Sequence, residues 1–175
     1  MENLMNMPVG VNAANVYIDG GKQHIGVAEV DLPEVKYTTI DLEGYDIAGK
    51  YEEPIVGHTD QLDATIKFTS LNRSIDYIND QKVHNIQLRA SHQNVNKATG
   101  EAQLVGLKID LRGKVKEFKP GTVKTGDKTD AEITFTCQVY KVHMDGVEMI
   151  NIDKFNRISS VNGIDAMAVI RNLIS

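Results

Sequence analysis

The stretch from Leu104 to Phe118, LVGLKIDLRGKVKEF, alternates apolar and polar residues for longer than an ordinary strand requires. Successive side chains of a strand point to opposite faces, so Leu107, Ile109, Leu111 and Val115 share one side. Lys108, Asp110, Arg112, Lys114 and Lys116 share the other. Strands commonly run about 5 to 6 residues, so this one is either unusually long or broken by a bulge. Gly113 and the phase slip before Phe118 are the two places where a β-bulge fits. A helix would put Lys108 and Arg112 on the stripe of Leu111 and Val115, and is excluded.

The period of two recurs along the chain. NVYIDGGKQHIGVAEVDLP reads as strand, turn, strand: Val16 to Ile18, then Asp19-Gly20-Gly21 to supply positive φ, then Ile25 to Leu32 until Pro33 interrupts. EITFTCQVYKVHMDGVEMINID repeats the pattern, with Ile133, Phe135, Cys137 and Val139 on one face and Asp145-Gly146 turning the chain into Val147 to Ile152. Leu62, Ala64, Ile66 and Phe68 alternate, as do Ile86, Leu88 and Ala90. Two segments depart from this period. SLNRSIDYIND spaces Leu71, Ile75 and Ile78 for a short helix over about 70–79, with Ser70 as its N-cap. NGIDAMAVIRNLIS spaces Met167, Ile170 and Leu173 or Ile174 for a second helix over about 164–174, with Asp165 in its first turn. The expected fold is mainly β, an antiparallel two-sheet sandwich or barrel with these helices covering its ends. A chain of 175 residues fits one domain, 1–175.

Composition narrows the function. At 41% hydrophobic and 25% charged the chain is an ordinary soluble globular one. A single cysteine forbids an intrachain disulfide. The opening MENLMNMPVG lacks the cationic start and apolar core of a leader, and no run approaches the ~18 apolar residues of a membrane span. A net charge of −5 argues against a general nucleic-acid binder. The charge is uneven: Glu29 to Asp63 holds ten carboxylates against two lysines, and Leu104 to Lys128 seven cations against three carboxylates.

Chemistry finds little support. His58 with Asp60 lacks a nucleophile or an oxyanion hole nearby. His84 and His92 lie about 27 Å apart along one strand at 3.3 to 3.4 Å per residue, too far to share a metal ion. Cys137, between Phe135 and Val139 on one face, reads as core. TGDKTDAE lacks calcium-loop spacing, and no phosphate-binding glycine loop follows a strand. No catalytic, cofactor or metal site is expected, and the chain is not read as an enzyme. Surface remains. Unpaired strand edges invite other chains, and a head-to-tail contact whose rotation closes makes a ring. Rings with one acidic and one basic face would stack.

Three stretches carry a family likeness: NVYIDGGKQHIGVAEVDLPEV, then GYDIAGKYEEPIVGH, then YKVHMDGVEMINIDKFNRISSVNGIDAMAVIRNLIS. In order and spacing, over nearly the full chain, they resemble the major tail tube protein of contractile-tailed phages and R-type bacteriocins. The resemblance implies a hexameric ring whose inner strands join into one β-barrel around a channel, with rings stacked into a tube inside a sheath. It places Lys108, Asp110, Arg112, Lys114 and Lys116 toward the lumen or an adjoining subunit, both remaining open. The hairpin-like TIDLEGYDIAGKYEEPIVGH would reach neighbouring subunits, with Gly44, Tyr45, Asp46, Ile47, Gly49, Glu52 and Glu53 as intersubunit candidates. Lys119, Lys124 and Lys128, in the long loop KPGTVKTGDKTDAE, and Arg171 of the terminal helix are candidates for outer contacts. Implied partners are further copies of the chain, a sheath protein, a tape measure protein, and baseplate and tail-terminator proteins, with DNA passing through the lumen in a phage. The implied location is the virion tail, assembled in the bacterial host cytoplasm. Two alternatives are a type VI secretion tube component and a monomeric small-ligand-binding β-barrel. An aromatic content of 6% without tryptophan weighs against the latter, whose pockets are usually aromatic-rich.

Overall fold

The structure is a computed structural model and describes residues 6–21, 27–44, 47–71 and 73–175. Tyr45 and Asp46, the start of the expected strand at Ile25, and position 72 of the expected first helix lie outside the described residues. In chain order the elements are β1 (Asn6–Ile18), β2 (Val27–Asp31), β3 (Tyr37–Leu42), β4 (Tyr51–Thr59), β5 (Asp63–Phe68), α1 (Arg73–Ile78) and β6 (His84–Asn96). There follow β7 (Ala102–Lys119), β8 (Ala131–Met144), β9 (Val147–Asp153), β10 (Ile158–Val161), β11 (Ile164–Asp165) and α2 (Ala168–Leu173). The fold is mainly β, with two antiparallel sheets of unequal size. The larger runs β1-β6-β7-β8-β9-β10-β11, with β5 also paired to β8 and β2 to β5; β3 and β4 form the smaller.

The alternating stretch is the centre of this architecture. β7 spans 18 residues, and its pairing with β8 slips between Arg112 and Gly113 and again between Val115 and Glu117, at both expected places. The first slip marks a fork. Below it, Ala131 to Thr136 of β8 pair with β5; above it, Val139 to Met144 pair with β9. At the junction Cys137 N donates to Leu62 O (2.7 Å) and Lys154 N to Gln138 O (3.0 Å), so the backbone groups freed by the fork find partners. Gly113 is required there, because a Cβ would lie 1.9 Å from Thr136 O.

Both limbs turn one face to a common core. Phe68, Ile66 and Leu62 from β5 and its approach meet Phe135 and Ile133 of β8, Leu111 of β7 and Ile86 of β6. α1 closes one side by inserting Ile75 and Ile78, both fully buried. Each such side chain offers roughly 1.5 to 3 kcal/mol on burial, which outweighs the weak helical tendency of a six-residue segment.

Four expectations change. Among the described residues β1 and β2 form no hairpin, although Asp19 and Gly20 take the positive φ values of a tight turn (49° and 72°). β1 pairs along its length with β6, and β2 pairs with β5. β1 also begins at Asn6, ten residues before Val16. Ser70 does not cap α1, which starts at Arg73; the amide of Leu71 instead donates to Thr129 Oγ1 at 2.8 Å, tying the approach to the β7–β8 loop. The terminal helix is cut to Ala168–Leu173 because Asp165 sits in β11, where its carboxylate accepts from Ser159 N (3.1 Å), Met167 N (3.0 Å) and Arg171 Nη2 (2.6 Å). Met167 alone of its expected stripe is fully buried, while Leu173 and Ile174 are exposed. The second hairpin forms as expected, with Asp145 and Gly146 at φ 52° and 78° and Met144 opposite Val147.

Candidate assembly surfaces

The outward face of β6, β7 and β8 carries the alternating charges. Lys108, Arg112, Lys114 and Lys116 are exposed and Asp110 is half-buried, opposite to the buried Ile109 and Leu111. Much of the positive charge is answered locally. Asp110 pairs with Lys108 (3.3 Å) and accepts from Gln87. Lys116 Nζ lies 2.8 Å from Asp63 Oδ2, which also accepts from Gln61 (2.6 Å). Burial would raise the Asp63 carboxyl, but these hydrogen bonds prevail and hold it below its usual range. Arg112 and Lys114 have no carboxylate within 4 Å among the described residues. Between these side chains lies an open depression of about 420 Å³ lined by Asn85, Gln87, Asp110, Arg112, Lys141 and Asp153.

The smaller sheet is an arm. Its base is closed by Asp60 N donating to Lys36 O (2.8 Å) and Thr38 Oγ1 to Asp60 Oδ1 (2.9 Å), and Lys154 Nζ, donating to Thr59 O (3.1 Å), fastens it to the body. Gly57, at φ 73°, seats Met167 against the root, where a Cβ would lie 2.2 Å from the Met167 sulfur. Beyond the root the apolar side chains are bare: Ile40 is 53% exposed, Tyr51 53% and Val56 58%, with Leu42 and Ile47 also open. The register sets Ile40 opposite Glu53 and Leu42 opposite Tyr51, so one face carries Ile40, Leu42 and Tyr51 together with Glu53. Asp41 stands directly opposite Glu52 on the other. That is a like-charge cross-strand pair, an arrangement that destabilises a hairpin. The nearest arm lysine, Lys50, is engaged with Glu43 at 2.6 Å. Of the two glycines expected in its turns, Gly49 takes a positive φ (109°) and Gly44 does not.

The outer-contact candidates separate. Lys119 lies near Glu117 and Glu132 (3.8 and 3.6 Å) and Lys124 near Asp127 (3.7 Å), whereas Lys128 Nζ has no carboxylate within 4 Å among the described residues, its backbone N donating to Asp127 at 2.9 Å. Arg171 is occupied within the chain by Asp165 and the Arg157 carbonyl, so it clips α2 to β10 and β11. Around it Val169, Leu173, Ile164 and Phe155 are exposed. Sequence reasoning missed the exposed apolar residues of β1, Met7, Val9 and Val11; they recur at every second position, but Pro8 and Gly10 between them weaken the strand signal. It also missed the apolar face of the arm, whose signal was the Ile40, Leu42 spacing. Cys137 is buried, and burial first, then the nearby Asp63 charge, pushes its thiol up to about 12.

These surfaces define a β-structured assembly subunit, with its uncovered apolar side chains on a long edge strand, an arm and a short terminal helix. The chain matches the phage tail tube protein FII family over residues 8–174 and belongs to it. It is 31% identical over 169 residues to the tail tube protein of Escherichia phage P2, covering 93% of this chain and 95% of that one. The major tail tube protein of Serratia phage KSP20 is 24% identical over 160 residues, covering 91% of each chain. Two solved structures share the fold at 17% identity. One is the sheath/tube terminator of an extracellular contractile injection system, PVC, in the extended state (TM-score 0.53, 78% of this chain and 96% of that one). The other is from the sheath-tube complex of the same system (TM-score 0.51, 79% and 90%).

Proposed function

We propose that this chain, as one domain, is the structural subunit of a contractile-tail tube and acts by assembly alone. Hexameric rings close through strand edges and stack into a hollow tube, with the β3–β4 arm reaching a neighbouring copy. The carrying observation is the arm: a two-stranded sheet fastened at its root, with Ile40, Leu42 and Tyr51 exposed on one face beside Glu53 and the Asp41–Glu52 pair on the other, neither face being covered among the described residues. A lone two-stranded hairpin is marginally stable in water at best, so an arm of this kind gains its cover from another molecule. The long outer edge of β1, with Met7, Val9 and Val11 exposed, is a second surface that a neighbouring copy would cover.

In this reading Lys108, Asp110, Arg112, Lys114 and Lys116 face the channel or an adjoining subunit, and their pairing with Asp63 and Asp110 lowers the electrostatic brake on a passing polyanion. Lys119, Lys124 and Lys128 and the α2 surface point outward to a sheath, in line with the sheath-tube complex among the fold's relatives. A tape measure, baseplate and terminator proteins complete the partners, and the virion tail, built in the host cytoplasm, is the location. Relatives in two phages favour a phage tail, with DNA crossing the lumen, over a secretion tube. Negative-stain electron microscopy with light scattering across concentration tests the proposal. Rings or hollow tubes are expected. A particle of ~19 kDa at every concentration, salt and template tried overturns it; the mass is that of one chain, 19.4 kDa.

A further inference from the structure

We propose that His84 is a proton-loaded clasp that locks the end of α1 onto the start of β6, where the turn after β1 is already pinned, and that losing the imidazole proton releases α1. The side chain is 4% exposed, and its two ring nitrogens face two carboxylates from separate parts of the chain. Nδ1 lies 2.8 Å from Asp19 Oδ2, just beyond β1, and Nε2 lies 2.7 Å from Asp80 Oδ1, just beyond α1. An ionised carboxylate only accepts hydrogen bonds, and both imidazole nitrogens donate only in the charged ring.

The carboxylates are themselves held ionised. Asp19 accepts from Asn85 N (2.8 Å) and from the Tyr77 hydroxyl (3.2 Å); Asp80 accepts from Lys82 N (2.9 Å) and pairs with Lys82 Nζ (3.1 Å). The neighbourhood holds one further ring, Tyr77 of α1, 5.4 Å from the imidazole. From β7, Gly113 stands opposite His84, while Arg112 and Lys114 point to the outward face. Both carboxylates thus share one buried cation, with Lys82 a second, exposed partner of Asp80. A neutral imidazole would turn a lone pair toward a carboxylate oxygen at under 3 Å, a repulsion in a site with little water to relieve it.

The pH window follows from direction alone. Burial would lower the His84 pKa, but the hydrogen bonds it donates to Asp19 and Asp80 outweigh it and raise the group above its usual value. Its contribution is therefore complete below about 6.5 and is lost as pH rises through the folded value. Asp19, despite burial, and Asp80, chiefly through His84, are both lowered, so their contribution holds above about 4 and fails as pH falls. The clasp is tightest between these limits and loosens on the alkaline side, where it uncovers the core beneath Ile75 and Ile78. The inference stands whether the chain is dispersed or assembled.

Hydrogen exchange read by mass spectrometry, from about pH 6 to about pH 10 with times scaled to the intrinsic rate, tests it on the full chain. Exchange of the His84 ring C–H reports the imidazole titration in the same samples. A midpoint above about 6.5 is expected, with protection of residues 73–82 falling across the same range while β8 peptides stay level. His84→Gln should leave residues 73–82 weakly protected at every pH. Asp80→Asn, which keeps the ring, should move the midpoint down. A midpoint at or below about 6.5, or level protection of residues 73–82 across the range, overturns the clasp.

Discussion

Neutralising the acidic face of the arm, Asp41→Asn with Glu52→Gln, should strengthen the free subunit and weaken the tube. The two carboxylates stand directly opposite across β3 and β4, at a cross-strand separation of about 5 Å. Two like charges that far apart repel by about 0.8 kcal/mol in water, within the ~0.2 to 1 kcal/mol measured for such pairs. Removing them relieves the subunit by that amount at most, so its thermal midpoint holds or rises slightly. In the tube the same carboxylates would meet cations of the next copy, for which Arg112 and Lys114 are uncompensated. An exposed pair contributes ~0.2 to 1 kcal/mol, and the arms of a hexameric ring act together, giving about 1 to 6 kcal/mol per ring contact. At 1.4 kcal/mol per decade that is up to ~10⁴-fold in the stacking constant. The assay pairs thermal unfolding of dispersed subunits with the critical concentration for tube growth by light scattering. The critical concentration should rise at low salt and match the parent near ~1 M salt, where screening acts within ~3 Å. An unchanged critical concentration at low salt refutes the docking; a lowered thermal midpoint refutes the frustrated pair.

Gly113→Ala should destabilise the subunit by about 2 kcal/mol or more, because the new Cβ meets Thr136 O at 1.9 Å and the fork must open; denaturant unfolding with a loss below about 1 kcal/mol would show that the fork yields. Cys137, its thiol raised to about 12, should react with a thiol reagent at pH 8 only on unfolding, and a native rate near that of a free cysteine contradicts its burial. Raising salt should divide tubes into rings before it divides rings, since stacking is assigned to charge and ring closure to strand pairing and apolar contact; monomers released with no ring intermediate, followed by electron microscopy, would sink that division. Gly57→Ala, which sets a Cβ 2.2 Å from the Met167 sulfur, should loosen the arm root and raise the critical concentration more than it lowers the thermal midpoint.

What the sequence determined by itself was local. The alternation from Leu104 to Phe118 specified a strand, its buried face and both bulges, because side-chain direction in a strand depends only on position along it. Asp145-Gly146 specified a hairpin for the same reason, its turn and both its strands being contiguous. The tertiary structure decided which strands meet. Asp19-Gly20 makes the turn its residues favour, yet turn chemistry does not choose partners, and β1 and β2 join different limbs of a forked sheet. Helical spacing from Ile164 onward was outweighed by three donors converging on Asp165. His84 looked idle beside His92, since its carboxylate at Asp19 lies 65 residues away in the chain. The arm's apolar residues were legible as a strand, but their lack of cover was not. Exposure is a property of what the rest of the chain leaves unoccupied, and only the folded chain settles that.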